Sequence, residues 1–314
     1  MQKTTFIKRK SYNMRYYVSF VDSFNYKYSI DKLVLHGTFL YNTFDEFSAR
    51  LNSLLIRSVC YDEMPFSMSL FRDTYYQSLK KLTYLNNFKF ELCCGSDQSS
   101  FWLGIHFQTF DKTLETWKLE LNPNKCMPCD FVSSLFDLLS MYSKHIEIVE
   151  YDVAVDLPFS RDSLFLVKDK RKYQCILNSS IDKTEYLGCR HSHGFCKLYN
   201  KQLESCLSSS LTRFEITCTS LLLSDILNVF PLIYAQRDQL LFFDNKLNDT
   251  DRFILKTLIF DPSRISELGR NKRKKMFDAL QCAFKPVSFD SSCLSRLLSS
   301  LSDLSAFFAP SVAQ

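Results

Sequence analysis

"IEIVEYDVAVDLP" (146–158) is the stretch that decides the fold. Successive side chains of an extended chain point to opposite sides, so Val149, Tyr151, Val153, Val155 and Leu157 share one face. Glu150, Asp152, Ala154 and Asp156 share the other. The apolar row packs against helices, and Pro158 ends the strand. The second row aligns three carboxylates, which repel one another unless water, basic partners or a hard divalent cation such as Mg²⁺ or Mn²⁺ answers them.

Neighbouring stretches repeat the pattern. "WKLELNPNK" (117–125) turns Leu119 and Leu121 inward and Lys118, Glu120 and Asn122 outward, and "RFEIT" (213–217) buries Phe214 and Ile216 opposite Arg213 and Glu215. If these strands are neighbours, their acids converge on one sheet face. "DKLVLHGTF" (31–39) reads as a strand, "FDEFSARLNSLLI" (44–56) as a helix with Asn42 or Thr43 as its cap, and "NFKFELCC" with "SFWLGIHFQ" as a hairpin around "GSDQS". "CDFVSSLFDLLSMYS" (129–143) is an amphipathic helix. "KYQCIL", "EYLG", "FCKLYNK" and "LTRFEITC" follow as strands, and from "SLLLSDILNVFPLIYAQ" onward the pattern is helical.

The order predicts an α+β fold: a mostly antiparallel sheet from duplicated β-α-β-β-like halves, helices on one face, and a small helical C-terminal module. The implied segments are 1–115, a first α+β half; 116–235, a second α+β half; and 236–314, the helical module.

Composition bounds the function. The 314 residues are 46% hydrophobic and 23% charged, enough for more than one core. With 6 glycines and neither G-x-G-x-x-G nor G-x-x-x-x-G-K-[ST], a nucleotide cofactor is not expected. A net charge of +5 permits a polyanionic partner, and "MQKTTFIKRK", "VKDKRKY" and "RNKRKK" concentrate the basic residues. No h-region opens the chain and no run approaches the roughly 18 apolar residues of a membrane span, so a cytoplasmic protein without membrane contact is expected. The 12 cysteines then read as reduced core residues, and Cys126 with Cys129 as an incidental pair.

"TEYLGCRHSHGFCKLYNK" (184–201) forms a hairpin of unusual polarity. Tyr186 is a candidate nucleophile, with Arg190, Lys197 and Lys201 placed to hold phosphate oxygens. Tyr199 is a second candidate. His191 and His193 read as solvated turn residues. In the tail, Arg270, Lys272, Arg273, Lys274 and Lys275 (with Arg264 upstream) suit a helix docked on DNA phosphates, or a solvated basic face. Phe101, Trp102 and Phe107 read as core.

In that order, "WKLELNPNK", "IEIVEYDVAVDLP", "TEYLGCRHSHGFCKLYNKQLE" and "LTRFEIT" resemble the replication initiation factor family: initiators of rolling-circle plasmids and small phages, and related relaxases of conjugative elements. The family pattern is R-x-D-x-x-x-D, then Y-x-G-S-R-x-S, a Y-x-K strand, and R-x-E. The resemblance covers the layout from Asp31 to Thr217 and is sharp between Trp117 and Thr217. It implies a DNA nicking and joining enzyme acting at an origin in a bacterial cytoplasm. In it Tyr186 becomes linked to the 5′-phosphate; Arg190, Lys201 and Arg213 assist; and Asp152, Asp156, Glu215 and Glu150 lie at the Mg²⁺ or Mn²⁺ site. Cys189 replaces the family's serine and Glu150 its arginine. The implied partners are origin DNA, single-stranded or as a cruciform, a host helicase and a second copy of the chain. Two other readings stand beside it: a non-enzymatic nucleic-acid-binding protein using the same sheet face, and a relic with the cluster broken. A nickase of this kind places the acids beside the Tyr186 hydroxyl; a binder places basic and aromatic residues there.

Overall fold

Residues Thr116–Leu121 alternate half-buried and buried along their length, as the sequence pattern requires of a sheet with one dry face. The computed structural model describes residues 19–41, 43–60, 68–70, 84–94, 97–107, 116–126, 130–177, 182–237, 247–260, 262–281 and 284–308. The first elements are β1 (Ser19–Val21), β2 (Lys27–Phe39), α1 (Phe44–Cys60), β3 (Met68–Leu70), β4 (Tyr84–Cys94), β5 (Asp97–Phe107), β6 (Thr116–Leu121), α2 (Pro123–Cys126), α3 (Asp130–Tyr142) and β7 (Ser143–Leu157). Then come β8 (Leu164–Leu166), β9 (Tyr173–Leu177), β10 (Lys183–Leu187), β11 (Cys196–Asn200), α4 (Lys201–Glu204) and β12 (Thr212–Cys218). The chain closes with α5 (Leu223–Val229), β13 (Ile233–Gln236), α6 (Asp249–Phe260), α7 (Arg270–Leu280), β14 (Phe284–Pro286) and α8 (Ser291–Phe308). The α+β class and the large antiparallel sheet are as expected.

Two compact units divide the chain: Met1–Phe20, Ser29–Asp152 and Ser295–Gln314 form the first, Val21–Tyr28 and Val153–Leu294 the second. They do not follow the segments 1–115, 116–235 and 236–314.

In the first unit the strand order is β3-β4-β5-β6-β2-β7, and β4 and β5 make the expected hairpin. Leu33, Leu35, Leu103, Ile105, Leu119 and Leu121 are buried on one face. Helix α3 covers that face, with Phe131 and Phe101 at 6.2 Å between ring centroids. Each such leucine contributes roughly 1.5–3 kcal/mol through burial. Helix α1 packs on α3 through Phe47 and Tyr142, whose hydroxyl donates to Glu46 at 2.7 Å. Trp117 lies flat across Gly37, where an added Cβ would fall 2.2 Å from the indole, so the cross-strand partner of this residue must be glycine.

In the second unit the order is β7-β12-β11-β10-β9, and a separate sheet runs β14-β13-β8. Phe165, Tyr234 and Phe284 of that small sheet share a core with Leu255 and Leu258 of α6 and Met276 and Leu280 of α7. Residues 220–236 read as helical, but α5 ends at Val229. Phe230 precedes Pro231, whose ring disfavours the helical conformation one residue back, and Phe230 is extended with ψ 128°. Ile233–Gln236 instead pairs with β8 and β14. Element order also differs between the units. Helix α1 follows β2 in the first, whereas among the described residues of the second no helix separates β9, β10 and β11. No described helix is long and apolar enough to cross a membrane.

Candidate functional site

The hairpin of β10 and β11 is made by its glycines. Gly188 and Gly194 hold φ of 99° and 80°, the left-handed region that glycine adopts without penalty, and bracket the turn that carries Arg190. Arg171 pins the turn from below: its Nη1 donates to the carbonyls of Gly194 at 2.6 Å and Val229 at 2.8 Å, and its Nε donates to Asp169 at 2.9 Å. A Cβ on Gly194 would meet Val229 at 3.0 Å and that guanidinium at 3.2 Å.

Register then sorts the side chains. Tyr186 stands opposite Gln174 on β9 and Lys197 on β11, and Lys197 stands opposite Glu215 on β12. Tyr199 stands opposite Arg213 in the next row. Glu185, one residue before Tyr186, points to the other face and is fully buried. There it accepts from Arg161, itself 2% exposed, and from the Tyr173 hydroxyl at 2.6 Å, with the Lys183 ammonium at 3.6 Å. The strand bearing Tyr186 is thus tied down beneath by a buried ion pair.

Two constellations occupy the polar face. The first is a 360 Å³ pocket lined by Tyr186, Arg190, Lys172, Gln174, Cys189 and Phe195, among others, with no acidic residue in its lining. The Tyr186 ring stacks on Phe195 at 6.0 Å and 17°. Among the described residues neither the Lys172 ammonium nor the Arg190 guanidinium has a carboxylate partner. The second is a row of matched charges. Arg213 grips Asp156 through Nε to Oδ1 at 2.5 Å and Nη2 to Oδ2 at 2.8 Å. Glu215 accepts from Tyr199 at 2.6 Å and lies 3.9 Å from Lys197, while Lys201 donates to Glu204 at 2.5 Å.

This separates the two tyrosines. Tyr199 is 6% exposed, its hydroxyl donates to Glu215, and Lys197 Nζ lies 3.6 Å from its ring centroid. Burial, then the charge of Glu215, push its pKa far above the ordinary phenol value. Tyr186 is only half-buried and opens onto the pocket.

The expected site residues are therefore split. Tyr186 and Arg190 come together. Glu215, Arg213 and Lys201 lie around Tyr199, Asp156 is held by Arg213, and Lys197 stands opposite Tyr186 with its ammonium over the Tyr199 ring. Glu150 and Asp152 belong to the first unit, where Lys32 donates to Glu150 at 2.6 Å and lies 3.8 Å from Glu120. On α7, Lys272 and Lys275 turn onto the buried Asp251, the latter at 2.6 Å; Arg270, Arg273 and Lys274 are exposed. His193 accepts from the Thr219 amide through Nδ1 at 3.2 Å. Phe101 and Trp102 are buried, Cys126 is a buried thiol, and Cys129 and the side chain of Phe107 lie outside the described residues.

Among the described residues no three His, Cys, Asp or Glu side chains are grouped to hold a metal ion. Asp156 is held by Arg213, and Glu215 by Tyr199 and Lys197. Lys172, Gln174 and Phe195 are the pocket residues that motif reading misses. The hairpin register, extended one strand to β9, is the signal that would have found them.

No family model and no curated protein matches the chain. Its structure is similar to that of the rolling circle replication initiator protein from Geobacillus stearothermophilus, with 12% identity over 81% of this chain and 96% of that chain and a TM-score of 0.35.

Proposed function

We propose that the second unit is a DNA strand-nicking and joining module of the rolling-circle initiator type, with Tyr186 as the nucleophile. The observation that carries this reading is the pocket in which Tyr186 opens beside two cations, Lys172 and Arg190, that have no acid partner among the described residues. The order of motifs around it supports the same reading.

In this scheme the Tyr186 oxygen attacks the scissile phosphorus and its phenolic proton is lost to solvent. The bond from phosphorus to the 3′ oxygen breaks. The 5′-phosphate stays on the tyrosine, and the departing 3′ oxygen takes up a proton to become a free hydroxyl. Lys172 and Arg190 neutralise the charge that builds on the phosphoryl oxygens, the kind of fixed stabilisation that typically contributes 10²–10³ in rate per donor, to order of magnitude. The reverse attack rejoins the strand. Arg270, Arg273 and Lys274 on α7 would add salt-dependent contacts to duplex phosphates.

The test is incubation of the full chain with supercoiled DNA carrying its own gene and flanks, with and without Mg²⁺, beside Tyr186→Phe. Relaxed product with protein on a 5′ end, lost in Tyr186→Phe, supports the reading. A second reading, a non-enzymatic nucleic-acid grip, is favoured by the same pocket's basic and aromatic lining. Tight binding with no nicking under any condition would select it.

A further inference from the structure

We propose that Gln174 reads the base of the nucleotide whose phosphate meets Tyr186, so that strand β9 sets base preference at the site. The inference rests on the proposed function, because it takes the Tyr186 pocket as the place where single-stranded DNA binds.

Gln174 is the direct cross-strand partner of Tyr186. Opposed residues on one sheet face hold their Cβ atoms about 5 Å apart, so an amide there reaches whatever lies against the phenol. Both line the same pocket, together with the two cations suited to a phosphate. The chemistry around the pocket is divided as a nucleotide is divided: Lys172 and Arg190 for the phosphate, the stacked rings of Tyr186 and Phe195 as an apolar platform, and one amide, Gln174, in the same lining. Among the described residues nothing engages the Gln174 amide, and the residue is exposed. A primary amide offers a donor and an acceptor side by side, the complement of adenine's amino group and ring nitrogen. The other polar face residues near Tyr186 lack that capacity. Lys197, the other cross-strand partner of Tyr186, is committed to Glu215 and the Tyr199 ring.

The test is a short single-stranded DNA library, random at every position, retained on the full chain and sequenced. Wild type, Tyr186→Phe and Gln174→Ala are compared, each first shown to melt as a folded protein. The expected result is enrichment of adenine at one position by wild type and by Tyr186→Phe. Gln174→Ala would still bind but lose about tenfold of that enrichment, the scale of one bidentate base contact. Enrichment unchanged in Gln174→Ala, or absent in wild type, overturns the inference. The two readings fail separately. Gln174-dependent enrichment without nicking leaves the base contact standing and removes the nickase; nicking with Gln174-independent enrichment does the reverse.

Discussion

In the first unit Lys32 stands 2.6 Å from Glu150 and 3.8 Å from Glu120, and the polar sheet face is closed by its own charges. In the second unit Asp156, Glu215 and Glu204 are matched in the same way, by Arg213, Lys197 and Lys201. One hairpin further along, Lys172 and Arg190 face a pocket without any acid. The alternation of polar and apolar residues builds both faces. What makes one of them a candidate site is the hairpin, whose left-handed glycines lift an arginine beside a tyrosine. Matched charge therefore marks the frame of this molecule, and under the proposed function the unmatched pair at the pocket marks the place where DNA would bind.

The largest expected effect tests the frame beneath the site. Glu185→Ala leaves the Arg161 guanidinium buried without its counter-charge, which should cost about 3–5 kcal/mol in chemical denaturation. Lys32→Met removes a partly solvated pair and should cost about 1 kcal/mol or less. Equal losses would erase the contrast between a dry pair under the hairpin and a wet pair on the other unit's face.

A smaller effect sharpens the division between the tyrosines. Tyr199→Phe removes one hydrogen bond to a charged acceptor and should cost about 1.5 kcal/mol, with nicking retained. Loss of nicking in the folded variant would move the chemistry to the matched row.

The smallest effect is a pH slope in the first unit. Burial, then the charge of Lys118, hold the His36 pKa below its ordinary value, and its buried Nε2 has no hydrogen-bond partner among the described residues. The unfolded chain takes up the proton first, at about pH 6.5. His36 therefore contributes stability that is present above that pH and lost as pH falls toward the depressed native pKa. Melting temperatures from pH 7 to about 5 should fall less steeply in His36→Gln; identical slopes would show that His36 does not contribute.

Much of the frame was legible because alternation is a local signal. Leu119, Leu121, Phe214 and Ile216 are buried as read, with Lys118, Glu120, Arg213 and Glu215 on the opposite face. The strand at Ile233–Gln236 was not legible, since "PLIYAQ" pairs with Leu164–Leu166, a partner about 70 residues earlier. The acids posed the harder problem. A row of carboxylates on one face says that something must neutralise it, not whether that is a metal ion or an arginine one strand away. Arg213 reaches Asp156 from 57 positions away, a pairing that only three dimensions show. The basic run on α7 was misleading in part for the same reason, because Asp251 lies 21 and 24 residues before the two lysines it holds.

The most direct measurement is mass spectrometry of the protein after incubation with supercoiled DNA carrying its gene, followed by exhaustive nuclease digestion and peptide mapping. The account predicts a nucleotide 5′-phosphate on the peptide containing Tyr186 and on no other. An adduct on Tyr199, or nicked DNA with no tyrosine adduct, would contradict it.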